Sequence, residues 1–162
     1  MHPVAAPETA TEPVQPPGLE LGELDGPVMC FGGPYSNAQA TEALLAEAKT
    51  LGIPPERMIC TGDVVAYGAD PKATVRLVRE AGIPVVMGNC EESIGSSAAD
   101  CGCGFESGSD CANWSDVWYA HAAAELNADD RSWMAGLPGR LWFRLAGRRF
   151  AVIHGGAGDI SE

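Results

Sequence analysis

The chain has 162 residues, 46% of them apolar, with 22 acidic against 10 basic side chains and a formal net charge of −12. That length and composition fit one domain with a real core and are too small for two. The acidic balance argues against nonspecific binding to nucleic acid backbones, which needs a basic surface to release counterions, and no apolar run approaches a membrane span. An anionic small substrate requires metal ions or backbone amides to offset the repulsion.

Residues 1–26 are rich in Pro, Glu, Ala and Thr, with almost no large apolar side chain before Leu19. The composition predicts a disordered tail, since it buries too little to offset its ordering entropy, and one folded domain over 27–162. The opening MHPVAAPETA has neither the basic nor the apolar region of a secretory signal. A cytoplasmic chain is the expectation, with thiols free or on metal.

The run PVMCFGG, 27–33, predicts a strand ending in glycines. Asn37 then caps a helix reaching about Leu51, with Ala40, Leu44, Leu45, Ala48 and Leu51 on one face. In ICTGDVVAYG, 59–68, an apolar run breaks into Gly62-Asp63, the pattern by which a buried parallel strand delivers an acidic side chain to a ligand crevice. Asp70-Pro71 opens a second helix through Val75, Val78 and Ala81, which Gly82 ends. A third strand, 84–87, runs into Gly88-Asn89-Cys90-Glu91. Strands alternating with helices predict βαβ units whose strand ends share one edge of a parallel sheet.

Residues 93–113 lack periodicity and predict a long irregular loop. Helices are expected over 114–126 and 129–135, then a hairpin of 141–145 and 149–153 turning at Ala146-Gly147 and delivering His154 before two glycines. His121 reads as an ordinary helix residue, and Cys30 and Cys60 as small buried strand hydrophobes. Cys90, Cys101, Cys103 and Cys111 fall within 22 residues. This Cys-rich stretch, 90–113, has three readings: a Zn or iron–sulfur site, a redox or disulfide use, or no special role.

Four strand ends thus present GGPYSN, GDVVAYG, GNCEES and HGG in order. The series resembles the calcineurin-like metallophosphoesterase family, in its diadenosine-tetraphosphatase-like and small phosphodiesterase branch, whose pattern is DxH, GDxx, GNH with Asp or Glu, a lone His before Gly, then GHxH. The resemblance implies an α/β fold, a β-sandwich of mostly parallel sheet flanked by helices, incomplete at the C-terminus because no GHxH is reached. It makes Asp63 the carboxylate bridging two metals, and Asn89 and His154 ligands of the second. Two divalent ions, Mn, Fe, Ni or Zn, would generate hydroxide and clamp phosphoryl oxygens. Gly33 and Tyr35 replace the first Asp and His, and Cys90 stands where the family has its proton-donating histidine.

Asp63, Asn89, Cys90 and Glu91 are therefore the candidate catalytic group, with Asp159 as a further helper, and Asp63, Asn89 and His154 the metal ligands. Tyr35 and Asn37 are candidate substrate contacts, although Tyr35 also reads as a turn aromatic. Two functions are expected from this set. One is a metal-dependent phosphoesterase acting on a small anionic mono- or diester, a nucleotide among the candidates. The other is a noncatalytic relative that binds metal or phosphate. Oligomeric state is not legible.

Overall fold

The computed structural model describes residues 18–156 and 158–161. In chain order these form β1 (Gly18–Glu23), β2 (Met29–Phe31), α1 (Ala38–Thr50), β3 (Met58–Cys60), α2 (Pro71–Ala81), α3 (Asn89–Gly95), α4 (Asp110–Glu125), α5 (Ala128–Ala135), β4 (Arg140–Leu145) and β5 (Arg148–Val152). Among the described residues, β2 and β3 pair in parallel, and a second sheet runs β1-β4-β5 with β1 parallel and β5 antiparallel to β4. The α/β architecture and the mostly parallel pairing agree with expectation.

β3 is the middle of the molecule, and its alternation sorts the layers. Successive strand side chains point to opposite faces. Met58 and Cys60 join Val75 and Val78 of α2, Ala48 of α1 and Ile94 of α3. Ile59, between them, packs with Val86 against Leu141 and Phe143 of β4. Both faces of β3 are thus covered, one by helices and one by the second sheet, which is why its sequence is continuously apolar. The hairpin turns at Ala146 and Gly147, both at positive φ, as expected.

Several elements differ from the sequence reading. The expected tail, 1–26, contains β1, and only residues 1–17 of it lie outside the described residues. β1 finds its backbone partners in β4, more than a hundred residues away, while Leu24 enters the inter-sheet core. Its local signal was two leucines among glutamates, too weak to reveal so distant a partner. Residues 84–87 make one parallel bridge, Cys60 with Val85, rather than a full strand. Pro84 has no N–H to give, and Met87 N donates instead to Pro138 O at 2.8 Å.

On α1, Ala38, Thr41 and Ala48 are buried while Leu51 is 55% exposed, so the buried face is rotated from the predicted one. Thr41 tolerates burial because its hydroxyl donates to Asn37 O at 2.8 Å. Cys30 is exposed, not buried, since strand β2 presents it away from the core. The irregular stretch shrinks to 96–109: α3 takes its first residues, and α4 begins at Asp110 because the Ser109 side chain caps Ala112 N.

Candidate functional site

The chain leaves β3 through Thr61, Gly62 and Asp63, the last at φ +55, a left-handed conformation uncommon for a residue with a side chain. Glu91 holds it there. The Glu91 carboxylate is fully buried and accepts N–H groups from Asp63 at 2.8 Å, Val64 at 2.8 Å and Gly88 at 3.0 Å. Burial, and then the Asp63 charge, push Glu91 up to about 7 against the pull of those N–H groups. It faces backbone rather than solvent, and these hydrogen bonds position the Asp63 loop.

The GD and GN turns touch backbone to backbone. A Cβ at Gly88 would stand 2.5 Å from Asp63 Oδ1 and 2.7 Å from Asp63 N, and one at Gly62 would stand 2.8 Å from both Gly88 N and His154 Nδ1. Only glycine lets the two turns and the histidine close together.

His154 follows β5 and reaches the same point. Its Nδ1 lies 2.6 Å from Thr61 O. A carbonyl can only accept, so Nδ1 carries a hydrogen, and in the neutral ring Nε2 keeps its lone pair. Nε2 faces Asn89 Oδ1 at 3.3 Å and Asp63 Oδ1 at 3.6 Å. Cys90 N donates to the same Asp63 oxygen at 3.4 Å. An imidazole nitrogen, an amide oxygen and a carboxylate oxygen therefore converge, a donor set that suits a divalent cation at part of its coordination shell. Among the described residues, no group of three or more His, Cys, Asp and Glu is placed to hold a metal ion.

At the first metal position of the resemblance stand Gly33 and Tyr35. The Tyr35 ring lies over Gly33, in the space that a Cβ there would occupy. Burial, and then the Asp63 charge, raise the Tyr35 phenol, which sets it beside the site. Its ring meets Tyr67 at 5.3 Å between centroids, and Tyr67 meets Trp118 edge-on at 5.4 Å. Two adjoining open clefts, of about 650 and 560 Å³, share Tyr67, Gly68 and Ala69.

Other expected residues are engaged elsewhere. Asn37 caps α1, its side-chain oxygen accepting Ala40 N at 2.9 Å, so that oxygen is committed to the helix although the residue lines the larger cleft. Asp159 is exposed and accepts Ser161 N at 2.8 Å in a local turn. Cys90 is buried, and burial followed by the Asp63 charge raises its thiol. Cys101 and Cys103 are joined as a disulfide, and Cys111 is free and exposed on α4. The four cysteines therefore do not gather into a Zn or iron–sulfur site; two of them are spent on one another.

Sequence reasoning missed Thr61, whose carbonyl orients His154, and the aromatic pair Tyr67 and Trp118. A backbone carbonyl leaves no mark in residue type. Tyr67 was visible as an aromatic two residues beyond the buried Val65, and its 59% exposure gives it meaning.

Residues 26–161 match the family model of calcineurin-like phosphoesterase. The chain belongs to the calcineurin-like phosphoesterase family. Members of this family generally use divalent metals. The fold is similar to the crystal structure of a candidate diadenosine tetraphosphatase, with a TM-score of 0.60 and 19% identity over 87% of this chain and 55% of that one. It is similar also to hypothetical protein PH1004 from Pyrococcus horikoshii OT3, with a TM-score of 0.67 and 16% identity over 82% of this chain and 56% of that one. At these identities the likeness is one of fold. The uncharacterized protein MJ0912 of Methanocaldococcus jannaschii is 40% identical over 55 residues, 34% of this chain and 22% of that protein. The chain thus spans just over half the length of the two structures and less of the curated relative. No helix among the described residues is long and apolar enough to cross a membrane.

Proposed function

We propose that this chain carries the phosphoesterase site of a metal-dependent hydrolase, with Asp63, Asn89 and His154 holding one divalent cation. The observation that carries the reading is the convergence of Asp63 Oδ1 and Asn89 Oδ1 on His154 Nε2, with Nδ1 tied to Thr61 O. When bound, the cation would supply Lewis-acid chemistry to a phosphoryl oxygen and lower the pKa of water. Asp63 offsets the cation's charge, and His154 and Asn89 add neutral ligands. With Gly33 and Tyr35 at the first motif, the chain's own residues support one cation rather than two.

The substrate reading is a phosphate ester with an aromatic substituent, such as a nucleotide. Cys90, a buried thiol kept protonated, replaces the family's imidazole and is a poor proton donor to a leaving group. That favours substrates whose leaving group needs little protonation, such as phosphoanhydrides and aryl esters. The exposed Tyr67 ring, beside Trp118 and adjoining Tyr35, offers an apolar face for such a substituent. The net charge of −12 argues for a small ester over a nucleic acid backbone.

A second reading, a noncatalytic relative that binds metal or phosphate, is favoured by the Tyr35 ring over Gly33. Hydrolysis of bis(p-nitrophenyl) phosphate and diadenosine tetraphosphate with Mn²⁺ separates the two. The enzyme reading expects turnover that Asp63→Asn abolishes. Tight Mn²⁺ binding without turnover selects the binding protein, and turnover unchanged in Asp63→Asn contradicts the site.

A further inference from the structure

Asn89 directs its amide nitrogen at one cluster. Nδ2 lies 3.1 Å from Cys101 O, 3.5 Å from Cys103 Sγ and 3.7 Å from Cys90 Sγ. These acceptors decide which end of the amide faces the site, and the end left over, Oδ1, is the one 3.3 Å from His154 Nε2. An amide turned the other way would aim two N–H groups at a cation.

The clip that supplies two of the three acceptors is closed by the Cys101–Cys103 disulfide across Gly102. It is anchored from both sides: Gly102 N donates to Asp100 Oδ1 at 2.9 Å, and Ser161 Oγ donates to Gly102 O at 2.9 Å. An open cleft of about 610 Å³, lined by Cys101, Cys103, Phe105 and Asp116 among others, lies alongside the bond. Cys103 is partly exposed while Cys101 and Cys90 are buried, so an incoming thiolate meets Cys103 Sγ first.

We propose that the Cys101–Cys103 disulfide is a redox-sensitive clamp that orients the Asn89 amide and so sets the cation affinity of the Asp63, Asn89 and His154 site. The effect on cation affinity rests on the metal reading of that site; the orientation of Asn89 does not. A dithiol reductant opens the clamp in two exchanges. One of its thiolates bonds to Cys103 Sγ as the Cys101–Cys103 bond breaks, and Cys101 leaves as a thiolate and takes a proton. Its second thiol then displaces Cys103, which leaves as a thiol, and the two electrons end on the cysteine pair while the reductant becomes a disulfide. Without the bond, Cys101 O and Cys103 Sγ are no longer held together against Nδ2, and the amide is free to turn. An oxidised disulfide such as glutathione disulfide restores the clamp by the reverse exchanges.

The test uses the full chain, oxidised with glutathione disulfide or reduced with dithiothreitol that is then removed anaerobically. In metal-free protein, alkylation and mass spectrometry should find Cys101 and Cys103 blocked before reduction and labelled after it. The Asn89 side-chain amide resonance, assigned by its loss in Asn89→Asp, should move on reduction. Mn²⁺ affinity by calorimetry should fall about tenfold on reduction, the scale of losing a group that orients a ligand. The Cys101→Ser/Cys103→Ser double variant should show the reduced value in both conditions, while Cys111→Ser keeps the response. Free labelling of Cys101 and Cys103 in oxidised protein overturns the clamp, as does an Asn89 resonance that reduction leaves in place. Equal Mn²⁺ affinity in the two forms overturns its effect on the site. If neither form binds Mn²⁺, the metal reading fails, and the amide resonance alone decides whether the clamp stands.

Discussion

Thr61 and His154, 93 residues apart, are joined by a hydrogen bond of 2.6 Å from imidazole Nδ1 to backbone carbonyl. The strand that delivers Asp63 therefore also fixes the tautomer of the imidazole that faces it, and sequence order alone does not reveal this. Orientation of a ligand by its other nitrogen is how metal-binding histidines are generally held.

Glu91 does for Asp63 what Thr61 does for His154. Replacing the fully buried Glu91 by Gln sets an NH₂ group against backbone N–H groups at one of its two oxygens. Loss of about 2 kcal/mol of stability is expected, read by chemical denaturation, together with weaker Mn²⁺ binding. Stability and affinity both equal to wild type would show that the Asp63 turn holds itself.

Gly88→Ala tests the close approach of the two turns. The new methyl would stand 2.5 Å from Asp63 Oδ1, so the carboxylate or the α3 N-terminus must shift. Circular dichroism should keep its helical signal while Mn²⁺ affinity falls by at least about tenfold. Unchanged affinity would mean that the turns can separate without consequence.

The first motif can be rebuilt. Gly33→Asp alone should add no second cation, because the Tyr35 ring lies in the path of the new side chain. Gly33→Asp with Tyr35→His removes the ring and supplies both missing ligand types, and Asp tolerates the φ of +43 better than most residues. Metal analysis should then rise from one Mn²⁺ per chain toward two. A stoichiometry of one in the double variant would show that the second position needs residues outside this chain.

Thiol reactivity follows burial. Burial pushes the Cys60 thiol up to about 12, and burial with the Asp63 charge raises Cys90. At about pH 8 neither should alkylate until the protein is unfolded, since the thiolate is the reactive form. Cys111 should label readily and Cys30, raised by partial burial, more slowly. Prompt labelling of Cys60 in folded protein would contradict the placement of β3 between two covered faces.

Much of the helical half was readable because its signals are local: Asp70-Pro71 and Gly82 bracket α2, and Asn37 starts α1. The hairpin and the delivery of His154 were readable for the same reason. β1 was not, because its two leucines gain meaning only beside β4. At the site, residue type pointed to Asp63, Asn89 and His154, which the fold brings together. It could not distinguish Glu91 as a buried support from Glu91 as an acid, since both roles use the same side chain. The cysteine stretch left three readings open because pairing depends on the path of 96–109, which no periodicity encodes.

Asp63, Asn89 and His154 are expected to share one cation, which Mn²⁺ titration followed by electron paramagnetic resonance reads out. Wild-type chain should bind one Mn²⁺, and Asp63→Asn and His154→Ala should each weaken it by more than about tenfold while denaturation midpoints stay near wild type. Equal Mn²⁺ binding by wild type and both variants would contradict the account.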